Sequence, residues 1–219
     1  MRITIKLSVL LFLVFESEAR WTRVNLTEEA DHYIKRLINK GANISSWGLG
    51  ADYEYWINRT HPWNVYPITA RGHDLWCGND ELYDSNGKIV RLRMIFNVTK
   101  SVQSPFPAIF NATLPLIKLR WFKPETAQID MNNATRIVLQ KNNKDIRIHK
   151  GMKFYRTTCK FQGRINYAGY FAYKDSNGYH KVGVGHLHNS RKGLVKLAEW
   201  YLEYFVEGTY EQRIIVSVE

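Results

Sequence analysis

Residues 84–98 read Asp-Ser-Asn-Gly-Lys-Ile-Val-Arg-Leu-Arg-Met-Ile-Phe-Asn-Val, and they carry the strand signal on which we build the fold prediction. The Asn86-Gly87 pair supplies the positive φ angles that a tight reversal needs, so a hairpin is predicted around it. After the turn, apolar side chains alternate and share one face of the predicted strand: Val90, Leu92, Met94, Phe96 and Val98. Arg91, Arg93 and Asn97 share the other face. The pattern therefore predicts a β-strand with one packed face and one solvated face.

The remainder of the chain beyond this hairpin is also rich in strand signals. A second hairpin is predicted from 165–173 and 179–188, joined by the turn Asp175-Ser176-Asn177-Gly178. Shorter strands are predicted near 114–122, 135–141, 145–149 and 213–218.

Two helices are predicted, one near each end of the chain. The first covers 27–40, where apolar residues recur at three- and four-residue steps and Gly41 stands at the C-cap. The second begins at Asn189 or Ser190 and has apolar residues at helical spacing: Leu194, Leu197, Ala198, Tyr201, Leu202 and Phe205. The predicted fold class is α+β, a mostly antiparallel β-sheet of hairpins or a meander with an N-terminal and a C-terminal helix packed on it.

The domain organisation is predicted from the two ends of the hydropathy pattern. Residues 1–19 have the three-part build of a signal peptide, with a basic start, an apolar run over 7–15 and the small Ala19 before cleavage. We predict that residues 20–219 form a single α+β domain with an aromatic-rich loop region at 43–80. The rings of that region either fill the core beneath long loops, which we expect, or form stacking platforms for a sugar.

Asn-x-Ser/Thr sequons are unusually frequent in this chain. Six are present, each with a residue other than proline in the middle, at Asn25, Asn43, Asn58, Asn97, Asn111 and Asn133. Together with the signal peptide, they predict a secreted, extracellular glycoprotein.

Cys77 and Cys159 are the two cysteines of the chain. In an oxidising compartment we expect them to form one disulfide bond, which stabilises by about 4 kcal/mol in the chain-entropy model. The alternative is two free or intermolecular thiols.

Positive charge and sequons occupy different parts of the sequence. The net charge is +11, and all six sequons lie at or before Asn133, whereas most of the excess positive charge follows it. We therefore predict a glycan-poor C-terminal binding surface, with these electrostatic determinants: Lys150, Lys153, Arg156, Lys160 and Arg164. The expected partner is an extracellular protein or a sulfated glycosaminoglycan, with nucleic acid as a further alternative, because cationic surfaces attract polyanions. A merely solvated basic face is the alternative interpretation.

The histidines give the alternative enzymatic interpretation. His73-Asp74-Leu75-Trp76 resembles the His-Gly-Leu-Trp-Pro segment around a catalytic histidine of the secreted acid ribonucleases, with Asp74 in place of Gly and Cys77 in place of Pro. That resemblance implies a secreted, ribonuclease-like hydrolase centred on His73, and the alternative hypothesis pairs His73 with His186 or His188. The two latter histidines are predicted on one strand face, but a third metal ligand is missing from it, so no metal site is predicted.

No nucleophile elbow, phosphate loop, dinucleotide fingerprint or metalloprotease helix occurs in the sequence, and no cofactor is predicted. The leading hypothesis is a secreted, N-glycosylated, non-enzymatic binding protein. The ribonuclease-like hydrolase and a glycan-shielded surface factor of a pathogen or parasite are the alternatives.

Overall fold

The computed structural model describes residues 22–57, 59–78, 87–116, 125–142, 147 and 150–218. The predicted signal peptide, the Asn58 sequon and the turn residues 84–86 lie outside these ranges. The first half of the chain forms these elements: β1 (Thr22–Asn25), α1 (Leu26–Asn39), β2 (Ser46–Gly48), α2 (Glu54–Ile57), β3 (Thr69–Cys77), β4 (Lys88–Gln103) and β5 (Ile109–Leu114). The second half forms β6 (Glu125–Asp130), β7 (Arg136–Asn142), β8 (Met152–Ala168), β9 (Tyr170–Asp175), β10 (Gly178–Gly183), β11 (Val195–Ala198) and β12 (Tyr201–Ser217). Two short 3-10 helices, Val184–Leu187 and Ser190–Lys192, lie between β10 and β11.

A seven-stranded sheet organises the molecule around three long strands. Its order is β1-β4-β12-β8-β3, with β7 also paired to β4 and β11 also paired to β12. β12 runs antiparallel to both β4 and β8, whereas β1 is parallel to β4, so the sheet is mixed. Two smaller sheets accompany it, β10-β9-β2 and the β5–β6 pair.

One face of the main sheet carries the core. Its seven largest fully buried side chains come from five elements: Phe96, Phe110, Phe161, Phe171, Tyr167, Tyr204 and Tyr210. α1, β5 and β9 cover this face, because Ala30, Phe110 and Phe171 belong to the same apolar cluster. Phe110 lies directly over Gly163, where an added Cβ would come within 2.8 Å of the ring. The β5–β6 pair can approach the sheet closely because β8 has no side chain at that position.

The predicted N-terminal helix is confirmed as α1. Asn25 caps it, since its Oδ1 accepts hydrogen bonds from the backbone N–H of Thr27 (3.0 Å) and Glu28 (3.4 Å). Both donors would otherwise lack a partner within the helix. Glu29, buried in the first turn, accepts a hydrogen bond from Lys192 Nζ at 2.6 Å and so ties the helix to the second 3-10 segment.

The predicted C-terminal helix is wrong, and with it the α+β fold class. The segment forms a 3-10 turn, β11 and the start of β12, and the molecule is mostly β. Leu202, Tyr204 and Val206 are buried at alternate positions, so the same residues satisfy a period of two as well as the helical spacing. Pairing with β8 along the whole of β12 decides between the two periods.

Gly208 also belongs to the strand β12 and not to a helix. Glycine commonly follows the end of a helix, but Gly208 lies inside β12, where an added Cβ would come within 2.1 Å of the carbonyl oxygen of Asn97. Its role is the close approach of neighbouring strands.

The region predicted as an aromatic-rich loop, 43–80, contains β2, α2 and β3 over its described residues. β3 pairs with β8, and the predicted disulfide between Cys77 and Cys159 is confirmed across this strand pair, with the Cα atoms 5.8 Å apart. No helix in the described ranges is both long and apolar enough to cross a membrane.

Candidate functional site

The face of the main sheet opposite the core is polar, and we call it the outer face. It is formed by alternate side chains of β7, β4, β12, β8 and β3. The strand face predicted to be wet from Arg91, Arg93 and Asn97 belongs to it, and these three residues are half-buried. Ile95, between them, is fully buried on the same face.

Three arginines lie side by side across three adjacent strands of the outer face. Arg213 of β12 is in register with Arg93 of β4 on one side and with Arg156 of β8 on the other. Neighbouring strands are about 4.8 Å apart, so the three cations occupy a row about 10 Å wide. Like charges placed directly opposite one another repel, and such a row needs an anion to be stable.

Glu211 supplies one such anion. It lies two residues before Arg213 on the same strand face, it is 7% exposed, and its Oε1 accepts hydrogen bonds from Arg213 Nε and from Arg156 Nε, the latter at 2.8 Å. The hydrogen bond from Arg213, assisted by the nearby positive charge of Arg156, holds the pKa of this carboxyl below its usual value.

Among the described residues, the charge of the row remains unbalanced after Glu211 is counted. Arg93 Nε is buried and has no hydrogen-bond partner in the part of the chain that the structure describes. Arg91, two residues earlier on β4, adds a fourth guanidinium and donates from Nε to Asn142 Oδ1 at 3.1 Å. These four arginines, with Phe154 and Ile215, line a groove of about 400 Å³ that we call the arginine groove. Phe154 is 58% exposed there.

The structure brings together three of the five predicted basic residues. Arg156, Lys160 and Arg164 lie four residues apart along β8, and all three belong to the outer face. Lys153 lies on the opposite face of β8, the face that packs on the core further along the strand. Lys150 lies in the turn before β8.

Their charges are not equally available. Arg164 is paired with Asp74 and lies 3.8 Å from Glu203, so much of its charge is neutralised. Lys160 is exposed and has no ion-pair partner among the described residues. Arg156 shares Glu211 with Arg213. Lys160 is therefore the freest of the three cations on β8.

The sequons are closer to the basic residues in space than in sequence. Asn97 of β4 is in register with Thr209 of β12, which is in register with Lys160 of β8. A glycan on Asn97 would therefore stand on the outer face, about 10 Å from Lys160. Of the other sequons in the described ranges, Asn43, Asn111 and Asn133 are exposed and Asn25 is half-buried.

The candidate catalytic histidines are not brought together. His73 of β3 is in register with Arg164 and belongs to the outer face. His186 lies in a 3-10 helix, not on the predicted strand, and its ring centroid is 5.9 Å from that of Tyr33 of α1 on the core side. His188 follows that helix. The main sheet separates His73 from both residues, and within the described ranges no three His, Cys, Asp or Glu side chains are grouped to hold a metal ion.

The aromatic residues of 43–80 form a cluster with a residue from a distant strand. Tyr55, which is buried, lies 4.8 Å from Trp56, 4.6 Å from His61 and 5.8 Å from Tyr179 of β10, centroid to centroid. The guanidinium carbon of Arg59 stands 4.5 Å over the ring of Tyr179. The rings therefore pack on one another at the small β10-β9-β2 sheet.

Two residues of the arginine row, Arg93 and Arg213, were not among the predicted determinants. Their signal was present, since Arg93 alternates with core residues and Arg213 begins the predicted last strand. The sequence does not state the register that places them beside Arg156.

Comparison with known proteins identifies similar folds. A chain of the Cry23Aa1 and Cry37Aa1 binary protein complex is similar over 90% of each chain, with a TM-score of 0.54 and 9% identity. A non-toxic crystal protein from Bacillus thuringiensis is similar over 89% of this chain and 94% of that one, with a TM-score of 0.50 and 9% identity. No family model matches the chain, and no curated protein matches it in sequence. At this identity the likeness concerns the fold alone.

Proposed function

We propose that this chain is a secreted, N-glycosylated, non-enzymatic binding protein whose outer face holds a polyanion, with a sulfated glycosaminoglycan as the expected partner. The observation that carries the proposal is the in-register row of Arg93, Arg213 and Arg156, to which Glu211 is the one carboxylate paired among the described residues. Because the sheet already holds these cations in place, binding an anion costs little further conformational entropy. The row therefore attracts a chain of regularly spaced anions.

The extracellular part of the proposal is supported by the sequence and by the disulfide. The six sequons and the build of residues 1–19 are typical of exported proteins, and the Cys77–Cys159 bond suits an oxidising compartment. A sulfated polysaccharide is a common polyanion in such a compartment, whereas nucleic acid is not.

The shape of the outer face also suits a long ligand. Arg156 and Lys160 are four residues apart on β8, about 13 Å along the strand, and both point to the same side. Cations are thus available along the strands as well as across them. Binding to such a surface gains from the release of counterions and weakens as salt rises.

The test is heparin-affinity chromatography of the secreted, glycosylated protein with two charge-matched variants. The first variant carries Arg156→Glu and Lys160→Glu on the outer face, and the second carries Lys150→Glu and Lys153→Glu away from it. Both lose the same net charge. The outer-face variant should elute at clearly lower salt than the parent, while the second variant should elute close to it. The proposal would be overturned if both variants shifted equally in their elution salt. It would also be overturned if the parent were retained on heparin no more strongly than on an uncharged column. Thermal unfolding of each variant checks that the fold is intact.

A further inference from the structure

The geometry points to a discrete site in the arginine groove for one sulfate group carried on a sugar ring. The inference rests on the proposed function, since it names the part of the polyanion that the outer face recognises. It goes beyond that function because long-range attraction needs only charge, whereas a discrete site needs a particular arrangement of donors.

The groove presents several guanidinium donors close together. Arg93, Arg213 and Arg156 stand in one cross-strand row, and Arg91 lies two residues before Arg93 on β4. A guanidinium is planar and presents parallel N–H donors, which match two oxygens of a sulfate or phosphate at once. A lysine ammonium at the same place would attract the anion without this fit.

One donor of the groove is unpaired among the described residues. Arg93 Nε is buried and lacks an acceptor within the described part of the chain, while the Nε atoms of Arg213 and Arg156 already donate to Glu211. A buried donor without an acceptor is costly, and a bound oxyanion offers acceptor oxygens at this position. Glu211 leaves Arg93 as the guanidinium with the greatest need of an external acceptor.

The groove also has apolar lining residues. Phe154 is 58% exposed, and with Ile215 it lines the same groove as the arginines. A free inorganic ion would use the donors and leave these side chains in water. A sugar that carries the sulfate would place its C–H face against the ring of Phe154, because aromatic rings suit such flat partners.

Glu211 competes with the ligand for two of the arginines. Its carboxylate accepts from both Arg156 and Arg213, so a bound sulfate must share these donors with it. Removing that negative charge while keeping the size of the side chain should strengthen binding. We expect Glu211→Gln to bind a sulfated disaccharide several-fold more tightly than the parent.

The experiment separates the donor geometry from the charge. The double variant Arg93→Lys, Arg213→Lys keeps the net charge and loses two guanidinium forks. The matched control Arg71→Lys, Arg136→Lys makes the same exchange at exposed outer-face positions beside Asn166 and Asn97, outside the groove. Isothermal titration of the full-length secreted protein measures binding of a sulfated heparin disaccharide, its unsulfated counterpart, a sugar phosphate and inorganic sulfate.

We expect the groove variant to bind the sulfated disaccharide at least tenfold more weakly than the parent and the control variant to match the parent. Retention on heparin should change little in either, because the charge is conserved. Equal affinity of the parent and the groove variant for the disaccharide would overturn the site. Undetectable affinity of the parent for the disaccharide would overturn it too. In either case, retention of the parent on heparin would still support the proposed function. If the parent itself were not retained on heparin, the proposed function would be overturned instead.

The ligand arms test the chemistry of the site. Binding of inorganic sulfate as tightly as the disaccharide would overturn the role of the sugar ring and of Phe154. Tighter binding of the sugar phosphate would overturn the assignment to sulfate. Binding of the unsulfated disaccharide at the same affinity would overturn the role of the arginines.

Discussion

At the scale of the residue, Glu211 is the side chain on which the outer face depends. It is nearly buried, and it is the partner of two arginines that would otherwise repel each other across the sheet. Its carboxyl has a lowered pKa, chiefly because Arg213 hydrogen-bonds to it. The folded state therefore prefers the ionised form of Glu211 more strongly than the unfolded state does.

This preference predicts how stability depends on pH. Because the folded pKa is the lower one, the contribution of Glu211 is fully present above its unfolded pKa, about 4.3, and is lost as the pH falls through the folded pKa. Glu211→Gln should lower the free energy of unfolding by about 1–2 kcal/mol at pH 7, since both arginines are partly exposed to solvent. Urea unfolding of the parent and the variant at pH 7, 5 and 3 measures the difference. It should shrink toward pH 3, and a difference that is the same at all three values would contradict the assignment.

At the scale of the element, α1 shows how one side chain serves two purposes. Asn25 is both a sequon asparagine and the N-cap of the helix, with its Oδ1 as the capping acceptor. Attachment of a sugar to Nδ2 leaves that oxygen in place. The cap is therefore compatible with the modification.

The cap predicts a difference between two substitutions that both remove the sequon. Asn25→Ala should lower the free energy of unfolding by about 1 kcal/mol relative to Asn25→Asp, because aspartate retains an oxygen that accepts from Thr27 and Glu28. Neither variant carries the glycan, so their comparison reports the cap alone. Two equal urea midpoints would show that Asn25 does not cap α1.

Packing of β5 on the sheet gives a second prediction at this scale. Gly163→Ala would place a methyl group 2.8 Å from the ring of Phe110, which must then move, and we expect a loss of about 1–3 kcal/mol of stability. Gly78→Ala is the control, because an added Cβ there meets nothing closer than 3.8 Å. If thermal unfolding shows the two alanine variants to be equally stable, Phe110 does not hold β5 over β8.

Elements were predictable where one period dominated the local sequence. Residues 90–98 alternate at every position except Ile95, and the helical spacing of 27–40 is supported by a cap and an acidic first turn, so β4 and α1 were predicted. Residues 194–206 satisfy both periods, and the long pairing of β12 with β8 decides in favour of the strand. That pairing is a contact between distant segments, which local propensity does not encode.

At the scale of the whole molecule, the strand order determines which charges meet. Arg156, Lys160 and Arg164 could be identified from the density of basic residues in their segment, but the row with Arg93 and Arg213 exists only once β4, β12 and β8 are aligned. The same alignment brings Asn97 onto the basic face. Separation along the sequence is therefore a poor guide to separation on this surface.

The position of Asn97 predicts an effect of its glycan on polyanion binding. A sugar chain there would shield Lys160, so secreted Asn97→Gln protein should elute from heparin at higher salt than the parent. Asn43→Gln is the control, since Asn43 is exposed in the segment leading to β2, beside the small sheet. Identical elution of the two variants would mean that Asn97 carries no glycan or that the outer face is not the contact surface.

The central place of β12 has a consequence for biosynthesis. β4 and β8 are both made before it, yet they meet only through it, because β12 lies between them in the sheet. Until β12 is made, β4 and β8 each have one edge without its partner strand. Closure of the sheet must wait for residues 201–217, and until they are made the open edges of β4 and β8 are exposed to wrong pairing.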